Sequence, residues 1–467
     1  MSEITNSSNL LPTQNKGSLR DVPLKVVRQD APKGIARAAA LLKYIYILLT
    51  AVSCYSTFGS AKLKVATIPF VGIAFLDFCF RFDCNLLNRK ELKQVWQWFK
   101  EYMLYILLLF VVTAVIYIGD TADTPLMKRG LEKIFYSTIT IFVAIAAIYE
   151  FREKAPLYTY YGYALFNAIA IPVAVKNTGS LSQCVSDFMY FMTSGFDAVG
   201  FMKWLELHEV TFGFGIFLIY FFLDGLKKNL KHFLVSFFFF FIGFKRIGFG
   251  GVVLAFIGYE LSHHMTDKQV KLVCSILMWG FIAYAFGYVV MVRSGLFVAL
   301  MQAMDIDLMG RQNLYRYIED FYSLSPFFLG HGFESVTSIL KNAGNIKVAE
   351  TMISKLSALH NDYLTMYIEM GFFGFSAWLY YKFIQFNNFC WKHGSRKAYL
   401  MAVLSTMYLG LCYSTDNVSK YFLVSIPFWI CPLAYALGAD CTDSCTSGGC
   451  CHTGNSLRRV LTDSFED

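Results

Sequence analysis

His360 and Asn361 stand side by side in Leu359–Phe375, LHNDYLTMYIEMGFFGF, where a polar segment enters an apolar run. A histidine side chain titrates near about 6.5, so at neutral pH it can take a proton from a hydroxyl or, once protonated, hold an anion. Both readings of His360 stay open on the residues alone. Asn361 can orient the imidazole or hold a ligand hydroxyl. A proton acceptor at the head of an apolar segment marks the mouth of a membrane active site. Glu369, Gly371 and Gly374 follow at helix-face spacing. Glu369 is about 13 Å further along such a helix, too deep to meet a ligand at the mouth. It is expected to play a supporting part by neutralising a buried arginine.

Two further groups could act on the same ligand. Lys245 and Arg246 sit at the junction of FFFFFIGF and IGFGGVVLAFIGY. A charge at such depth is expensive unless it faces a cavity, an anion or a partner; the alternative is an arginine snorkelling to lipid phosphate. Gly248, Gly250 and Gly251 favour close helix packing and hence an inward face. The second group is Arg311–Leu324, RQNLYRYIEDFYSL, in which Leu314, Ile318 and Phe321 recur as on an amphipathic helix. Its other face carries Arg311, Tyr315, Glu319 and Tyr322. Pro326 ends the run, and Gly330-His331-Gly332 predicts a tight turn at which backbone can approach a ligand. The plainer reading is a cap helix lying on the membrane surface.

Composition decides which elements position these residues. Of 467 residues, 56% are hydrophobic, 18% aromatic and only 16% charged, which excludes an ordinary soluble enzyme. A helix needs about 20 apolar residues to cross a bilayer, and about twelve such runs are present. They lie near residues 38–58, 62–80, 102–118, 132–150, 157–175, 208–223, 229–247, 248–262, 269–292, 362–386, 398–414 and 418–438. Continuous apolar runs exclude a transmembrane barrel. The expected fold is all-α, a polytopic membrane protein with about twelve transmembrane helices. Lys and Arg are concentrated in segments that share a side with the N-terminus, including 16–37, 81–100 and 382–397, which makes both termini cytoplasmic. The expected organisation is a cytoplasmic tail at 1–37, a transmembrane domain at 38–438 with an external, partly helical loop at 293–361 between the ninth and tenth spans, and a Cys-rich cytoplasmic tail at 439–467. A connection that long is functional or disordered. The formal net charge of +8 follows from the side-to-side asymmetry and points to no nucleic acid.

Other features carry less. Twelve cysteines do not make a disulfide scaffold, because most fall in spans or on the cytoplasmic side. Cys441, Cys445, Cys450, Cys451 and His452 lack the paired spacing of a zinc site. Asp305-Ile306-Asp307 looks like a D-x-D metal motif but lies in the external loop. His331 reads as an exposed turn histidine, His263-His264 as the cap of a span end, and Asp416-Asn417 as a turn between the last two spans, with membership of the site as the alternative.

The three blocks KRIGFGG, GRQNLYRYIEDFYSLSPFFLGHGF and LHNDYLTMYIEMGFFGF, in this order and spacing, resemble the O-antigen polymerase and ligase superfamily, the Wzy and WaaL type of bacterial membrane glycosyltransferases. The resemblance covers roughly residues 235–380. It implies a GT-C-like helical fold that moves glycans from an undecaprenyl-diphosphate carrier to a sugar hydroxyl at the outer face of the plasma membrane, without nucleotide sugar, metal or other cofactor. By the same resemblance Arg246, Arg311 and His360 are the candidate catalytic residues. Lys245, Arg316, Tyr315, Gly330, Gly332 and Asn361 are the candidate substrate-binding ones. Ile247 stands where members carry a small polar residue, and Tyr315 where many carry Trp.

The chemistry fits those residue types. A diphosphate leaving group gathers negative charge that guanidinium groups stabilise through forked hydrogen bonds, and the attacking hydroxyl needs a base such as His360. A single displacement inverts the anomeric centre. The expected activity is polymerisation of lipid-linked repeat units into a capsular or O-antigen type polysaccharide, with a chain-length regulator and a flippase as possible partners. A ligase passing finished glycan to a lipid or protein acceptor is the alternative. A flippase is the third reading, though the internal repeats expected of a transporter are not evident.

Overall fold

The computed structural model describes residues 33–57, 60–83, 89–119, 124–178, 180–183, 185–186, 189, 208–243, 245–305, 311–342, 347–348, 351–352 and 358–438. The Cys-rich tail, the first 32 residues and the Ile306-Asp307 part of the D-x-D motif lie outside them. The chain divides into two units, residues 1–42 with 451–467, and residues 43–450. Of the first, the described part is helical.

In the second unit the apolar runs form helices. These are α1 (Lys33–Cys54, which begins in the first unit), α2 (Ile68–Asp83), α3 (Arg89–Gly119), α4 (Thr124–Phe151), α5 (Ala155–Thr178), α6 (His208–Ile242), α7 (Arg246–His263) and α8 (Asp267–Arg293). Beyond the loop come α12 (Asp362–Leu379), α13 (Phe386–His393), α14 (Arg396–Cys412) and α15 (Phe422–Gly438). Among the described residues five stretches are long and apolar enough to cross a membrane: Lys62–Asp83, Leu92–Ile118, Pro125–Val173, Glu209–Ile242 and Asp267–Arg293. The loop between α8 and α12 contains α9 (Leu296–Ala303), α10 (Arg311–Ile318), α11 (Ser335–Asn342) and a two-residue antiparallel pair, Lys347–Val348 with Thr351–Met352.

Local chemistry sets the breaks. Thr266 and Gln269 form a reciprocal capping box that starts α8. Gly225, at φ 111°, interrupts α6, which therefore contains two of the apolar runs. His264 caps α7, with its N–H bonded to Leu261 and Ser262. A π-helical turn, Tyr380–Gln385, joins α12 to α13.

α15 packs against α3, α4, α5, α6 and α14, and α14 packs against α6, α7 and α8. Water-free packing gives polar hydrogens few partners, and tyrosine hydroxyls find them on the backbone of neighbouring helices. Tyr102 donates to the Trp429 carbonyl at 2.6 Å, Tyr363 to Gly410 at 2.6 Å, Tyr381 to Glu101 at 2.8 Å and Tyr408 to Phe212 at 3.1 Å. Tyr163 donates to the Leu423 carbonyl at 2.5 Å. That carbonyl would bond the N–H four residues on, but Pro427 stands there and has none. The proline frees an acceptor and a different helix fills it.

The loop is tied to α12 by a backbone exchange. Gly371 adopts φ 66°, ψ −174° inside α12, so Phe372 N–H leaves its helical partner Ile368 and donates to Phe328 at 2.8 Å. The freed carbonyls of Ile368 and Glu369 accept from His331 N–H at 3.0 Å and Gly332 N–H at 2.8 Å. Gly330, at φ 88°, lies so close that a Cβ on it would sit 2.4 Å from the Gly371 nitrogen, and one on Gly371 would sit 2.2 Å from the Leu329 carbonyl carbon. The Gly330-His331-Gly332 turn therefore closes on its own protein, correcting the expectation that its backbone approaches a ligand. Its glycines are needed because two main chains touch.

A buried ion cluster reinforces the same contact. Lys420 Nζ lies 2.8 Å from both carboxylate oxygens of Glu369 and 3.1 Å from Glu334 Oε1, and it rests 4.8 Å from the centre of the Phe333 ring. Burial pushes the Glu334 pKa up, but the charges of Lys420 and Lys133 outweigh it and hold it below the ordinary carboxylate value. Glu369 thus neutralises a lysine from the last hairpin, where an arginine had been expected.

Two substitutions test this join in purified protein. Gly371→Ala forces a Cβ into the Leu329 backbone and should destabilise the fold by about 2–4 kcal/mol, read as a lower midpoint of thermal unfolding in detergent; an unchanged midpoint would refute the docked turn. Lys420→Met leaves buried Glu369 without a counter-charge and Glu334 with that of Lys133 alone, and should cost about 3–5 kcal/mol. Adding Glu369→Gln to it should recover part of the loss, and a larger loss in the double variant would contradict the pairing.

Candidate active site

His360 lies just before α12 with φ 51°, a left-handed conformation that few non-glycine residues adopt. Such strain persists only where surrounding contacts enforce it. Asn361 supplies them. Its side-chain oxygen caps α12 by accepting from Leu364 N–H at 3.1 Å, and its own N–H donates to Asn417 Oδ1 at 3.3 Å. Asp362 is fixed by Ser419, whose N–H and hydroxyl each donate to its carboxylate at 2.6 Å. The start of α12 is thus bound at two consecutive residues, Asn361 and Asp362, and the His360 side chain is left 38% exposed.

Asp416 faces that imidazole. His360 Nδ1 is 3.7 Å from Asp416 Oδ1, an ion-pair separation longer than a hydrogen bond. Lys245 Nζ is 3.5 Å from Asp416 Oδ2. Tyr421 donates its hydroxyl to Asp416 Oδ1 at 2.7 Å, and Asn417 N–H donates to the same oxygen at 2.8 Å. Burial pushes the Asp416 pKa up, yet His360, the Lys245 charge and the Tyr421 hydroxyl together hold it well below the ordinary carboxylate range. An ionised carboxylate beside Nδ1 favours the tautomer with its proton on Nδ1 and leaves Nε2 as the basic atom. The turn Asp416-Asn417 is therefore part of the cluster around His360, which corrects its reading as a plain turn.

The remaining candidates fall at different places. Lys245 caps α7 and is half-buried, with its ammonium 5.8 Å from the centre of the Phe212 ring. Arg246 is the first residue of α7 and is exposed. Arg311 opens α10, half-buried and within electrostatic reach of Tyr288. Tyr315 is only 4% exposed and accepts from Asn361 Nδ2 at 3.4 Å, so it sits behind Asn361; its place on the outward face of an amphipathic helix is corrected, as is that of buried Tyr322. Arg316 is exposed. Glu369 belongs to the Lys420 cluster and Gly330 and Gly332 to the docked turn. His331 is bound through Nε2 to the Phe321 carbonyl at 2.6 Å, and so is less free than an exposed turn histidine.

Arg293, at the end of α8, is joined to Glu319 and lies 5.6 Å from the centre of the Tyr322 ring, which ties the α10 segment to the helix before it. Among the described residues no group of three His, Cys, Asp or Glu is placed to hold a metal ion. Sequence reasoning passed over Lys420, Ser419, Tyr421 and Glu334. The available signal was DNVSKYF itself, two ionisable residues in a short hairpin between apolar runs, which by their cost in a membrane call for partners.

This arrangement can do one kind of work well. A basic imidazole nitrogen is backed by a carboxylate that it shares with a lysine. That combination can remove a proton from a hydroxyl while stabilising negative charge on an adjacent leaving group.

Comparison with known proteins agrees. Residues 232–379, about a third of the chain, match the model of a family described as O-antigen ligase. The match includes Lys245, Arg246, Arg311, Tyr315, His360, Asn361 and Glu369 and ends before Asp416 and Lys420. No curated protein matches the chain. Over residues 232–379 the chain is similar to an O-antigen ligase domain, and this match supports the O-antigen polymerase and ligase superfamily, whose members are glycosyltransferase-like enzymes.

Proposed function

We propose that the protein polymerises undecaprenyl-diphosphate-linked oligosaccharide repeat units into a surface polysaccharide at the outer face of the bacterial plasma membrane. In this reading twelve helices span the membrane, both termini are cytoplasmic, and residues 293–361 face outward. The observation that carries it is His360, held in a strained conformation with Asp416 and Lys245 on one side and Asn361 on the other.

The reaction follows from those positions. A sugar hydroxyl of the acceptor unit gives its proton to His360 Nε2 as its oxygen attacks the anomeric carbon of the donor. The bond from that carbon to the diphosphate oxygen breaks, and its electron pair leaves on the diphosphate. Asp416 stabilises the imidazolium that forms, as a carboxylate does for any histidine base oriented through Nδ1. Arg246, Arg311 and Lys245 take the developing charge, with Arg316 at the exposed edge. An ammonium has three protons, so Lys245 can contact phosphate while still facing Asp416. Asn361, buried and bonded to Leu364 and Tyr315, fixes the backbone that presents His360 to the acceptor sugar. One displacement inverts the anomeric centre. A chain-length regulator and a flippase are the expected partners.

A second reading has a specific support: the matching family is described as a ligase. A ligase shares the donor and differs in the acceptor, which would be a lipid core or a protein.

Deleting the gene and complementing with wild type, His360→Ala or Asp416→Asn separates these readings through the membrane glycans. Removing a general base typically lowers the rate by about 10²–10⁴-fold. His360→Ala should therefore leave single repeat units and no long polymer, while Asp416→Asn should shorten the chains with protein levels unchanged. Linkage analysis should show the polymer bond inverted relative to the lipid-linked unit. Long polymer that accumulates on its lipid carrier would replace the polymerase by the ligase. Retained configuration would sink the single displacement.

A further inference from the structure

Part of the loop between α8 and α12 runs back alongside the membrane helices. α12 and the π-helical turn after it lie antiparallel to α3 and in step with it. A Cβ on Gly374 would meet Val112 Cγ1 at 2.8 Å, the rings of Tyr381 and Tyr105 stack at 5.4 Å, and Gln385 donates to Glu101 Oε2 at 3.5 Å. This register puts Gly371 level with Val115. Gly371 touches the Leu329 backbone, so Leu329 is level with Val115 too, one helical turn inside Ile118. From Tyr102 to Ile118 α3 carries no charged residue. That stretch is about 24 Å long, within a hydrocarbon core of about 30 Å. Its Val115 and Ile118 are 60% and 87% exposed, so Leu329 stands at a depth where α3 faces lipid.

The segment that reaches this depth suits it. Tyr322–Gly330, YSLSPFFLG, contains no charged residue. Phe327 is 87% and Leu329 64% exposed, and Leu324 and Phe373 are exposed as well. Backbone inside hydrocarbon has to find its partners within the protein. Phe327 N–H donates to Ser325 Oγ at 3.1 Å, and Phe328 N–H to the Ser325 carbonyl at 3.0 Å. The Ser323 carbonyl accepts from the Tyr367 hydroxyl at 2.8 Å, and that of Phe328 from Phe372 N–H at 2.8 Å. Pro326 has no N–H to place. The main chain is paired inward while the large apolar side chains point away from the protein.

We infer that Leu324–Leu329 is a re-entrant wedge of the loop, with Phe327 and Leu329 seated among the phospholipid acyl chains of the leaflet on the loop's side. The wedge directly follows α10 and the Glu319–Phe321 turn, and His331 Nε2 on the Phe321 carbonyl ties it to them. Its depth therefore sets how high α10, with Arg311, stands over the membrane surface. The inference uses the membrane placement of α3 and is independent of the reaction and of the acceptor. The exposed segment offers a few side chains, far less than the about 800 Å² per partner of a stable protein interface, which argues against a second copy of the chain as the occupant.

The test uses full-length protein in nanodiscs of phosphatidylethanolamine and phosphatidylglycerol, with benzoylphenylalanine in place of Phe327 or, as a control, of Lys341, an exposed residue of α11. Illumination should attach phospholipid to the protein from position 327 and not from 341. Phospholipid attached from neither position, or equally from both, overturns the inference. A cross-linked dimer in its place, or labelling abolished by undecaprenyl diphosphate, overturns it as well and assigns the face to a second copy or to the donor. Substitutions give a second readout in the same nanodiscs. Phe327→Leu should leave the midpoint of thermal unfolding unchanged and Phe327→Asp should lower it, because a carboxylate is expensive in hydrocarbon. A residue so exposed to water would tolerate both changes, so equal midpoints overturn the inference. Phospholipid labelling from position 327 in a protein that forms no polymer would sink the proposed reaction and leave the wedge standing.

Discussion

Charge taken out of water has to be paired, and in this protein the segment Asp416–Tyr421 does most of the pairing. Asp416 faces Lys245 and His360, Ser419 satisfies Asp362, and Lys420 neutralises Glu369 and Glu334. These contacts reach α7, the head and middle of α12, and the loop before α11. A charge left unpaired at any of them would carry a desolvation cost of several kcal/mol. The short hairpin between α14 and α15 thus sets the relative position of elements far apart in sequence. The strained backbone of His360 is tolerable because Asn361 and Asp362, the two residues after it, are already committed.

The loop is held by a different device with the same result. Where Gly371 interrupts α12, the helix gives up its own hydrogen bonds and the Phe328–Gly332 segment replaces them. The exchange gives Phe372 N–H and the carbonyls of Ile368 and Glu369 partners from the loop, as a helix break in apolar surroundings requires. Because Glu369 belongs both to this exchange, through its carbonyl, and to the Lys420 cluster, through its carboxylate, the backbone and ionic joins reinforce one another. A binding constellation is only as precise as what supports it, and here the support is a helix end bonded on all sides.

Much of this was legible in the sequence, and the boundary of legibility has a physical cause. Apolar runs marked the helices because burial and membrane crossing both require them, and the break in α6 was visible as two runs separated near Gly225. Local spacing found the helix α10, and the three motif blocks singled out His360, Asn361 and Lys245, which the structure brings against Asp416-Asn417. What spacing could not supply was partners. Nothing in LHNDYLTMYIEMGFFGF states that Glu369 meets a lysine 51 residues later, or that the two glycines of the GHG turn answer a third glycine in another helix. Tyr315 was placed on the wetter face of α10 because a helix alone has only two faces to choose between. Packing α10 beneath Asn361 buried it.

The same distinction bears on how a site for two unlike substrates can be built. A lipid-borne donor travels in the plane of the bilayer, while a glycan acceptor extends into the aqueous layer, so a reacting centre has to be reachable from both without being open to free water. In the proposed reading α7 answers the first requirement, since Lys245 and Arg246 stand at its N-terminal end. Asn361 and α10 answer the second from the loop side. Asp416 lies between, buried at the junction, and touches both groups through Lys245 and His360. Its ionised state is maintained by those same two contacts, so the group that would steady the base is itself steadied by the residues around the leaving group. Base and anion clamp are thereby coupled through one carboxylate, which gives a physical reason why the cluster spans the end of the family-matched segment and the last hairpin instead of lying within either.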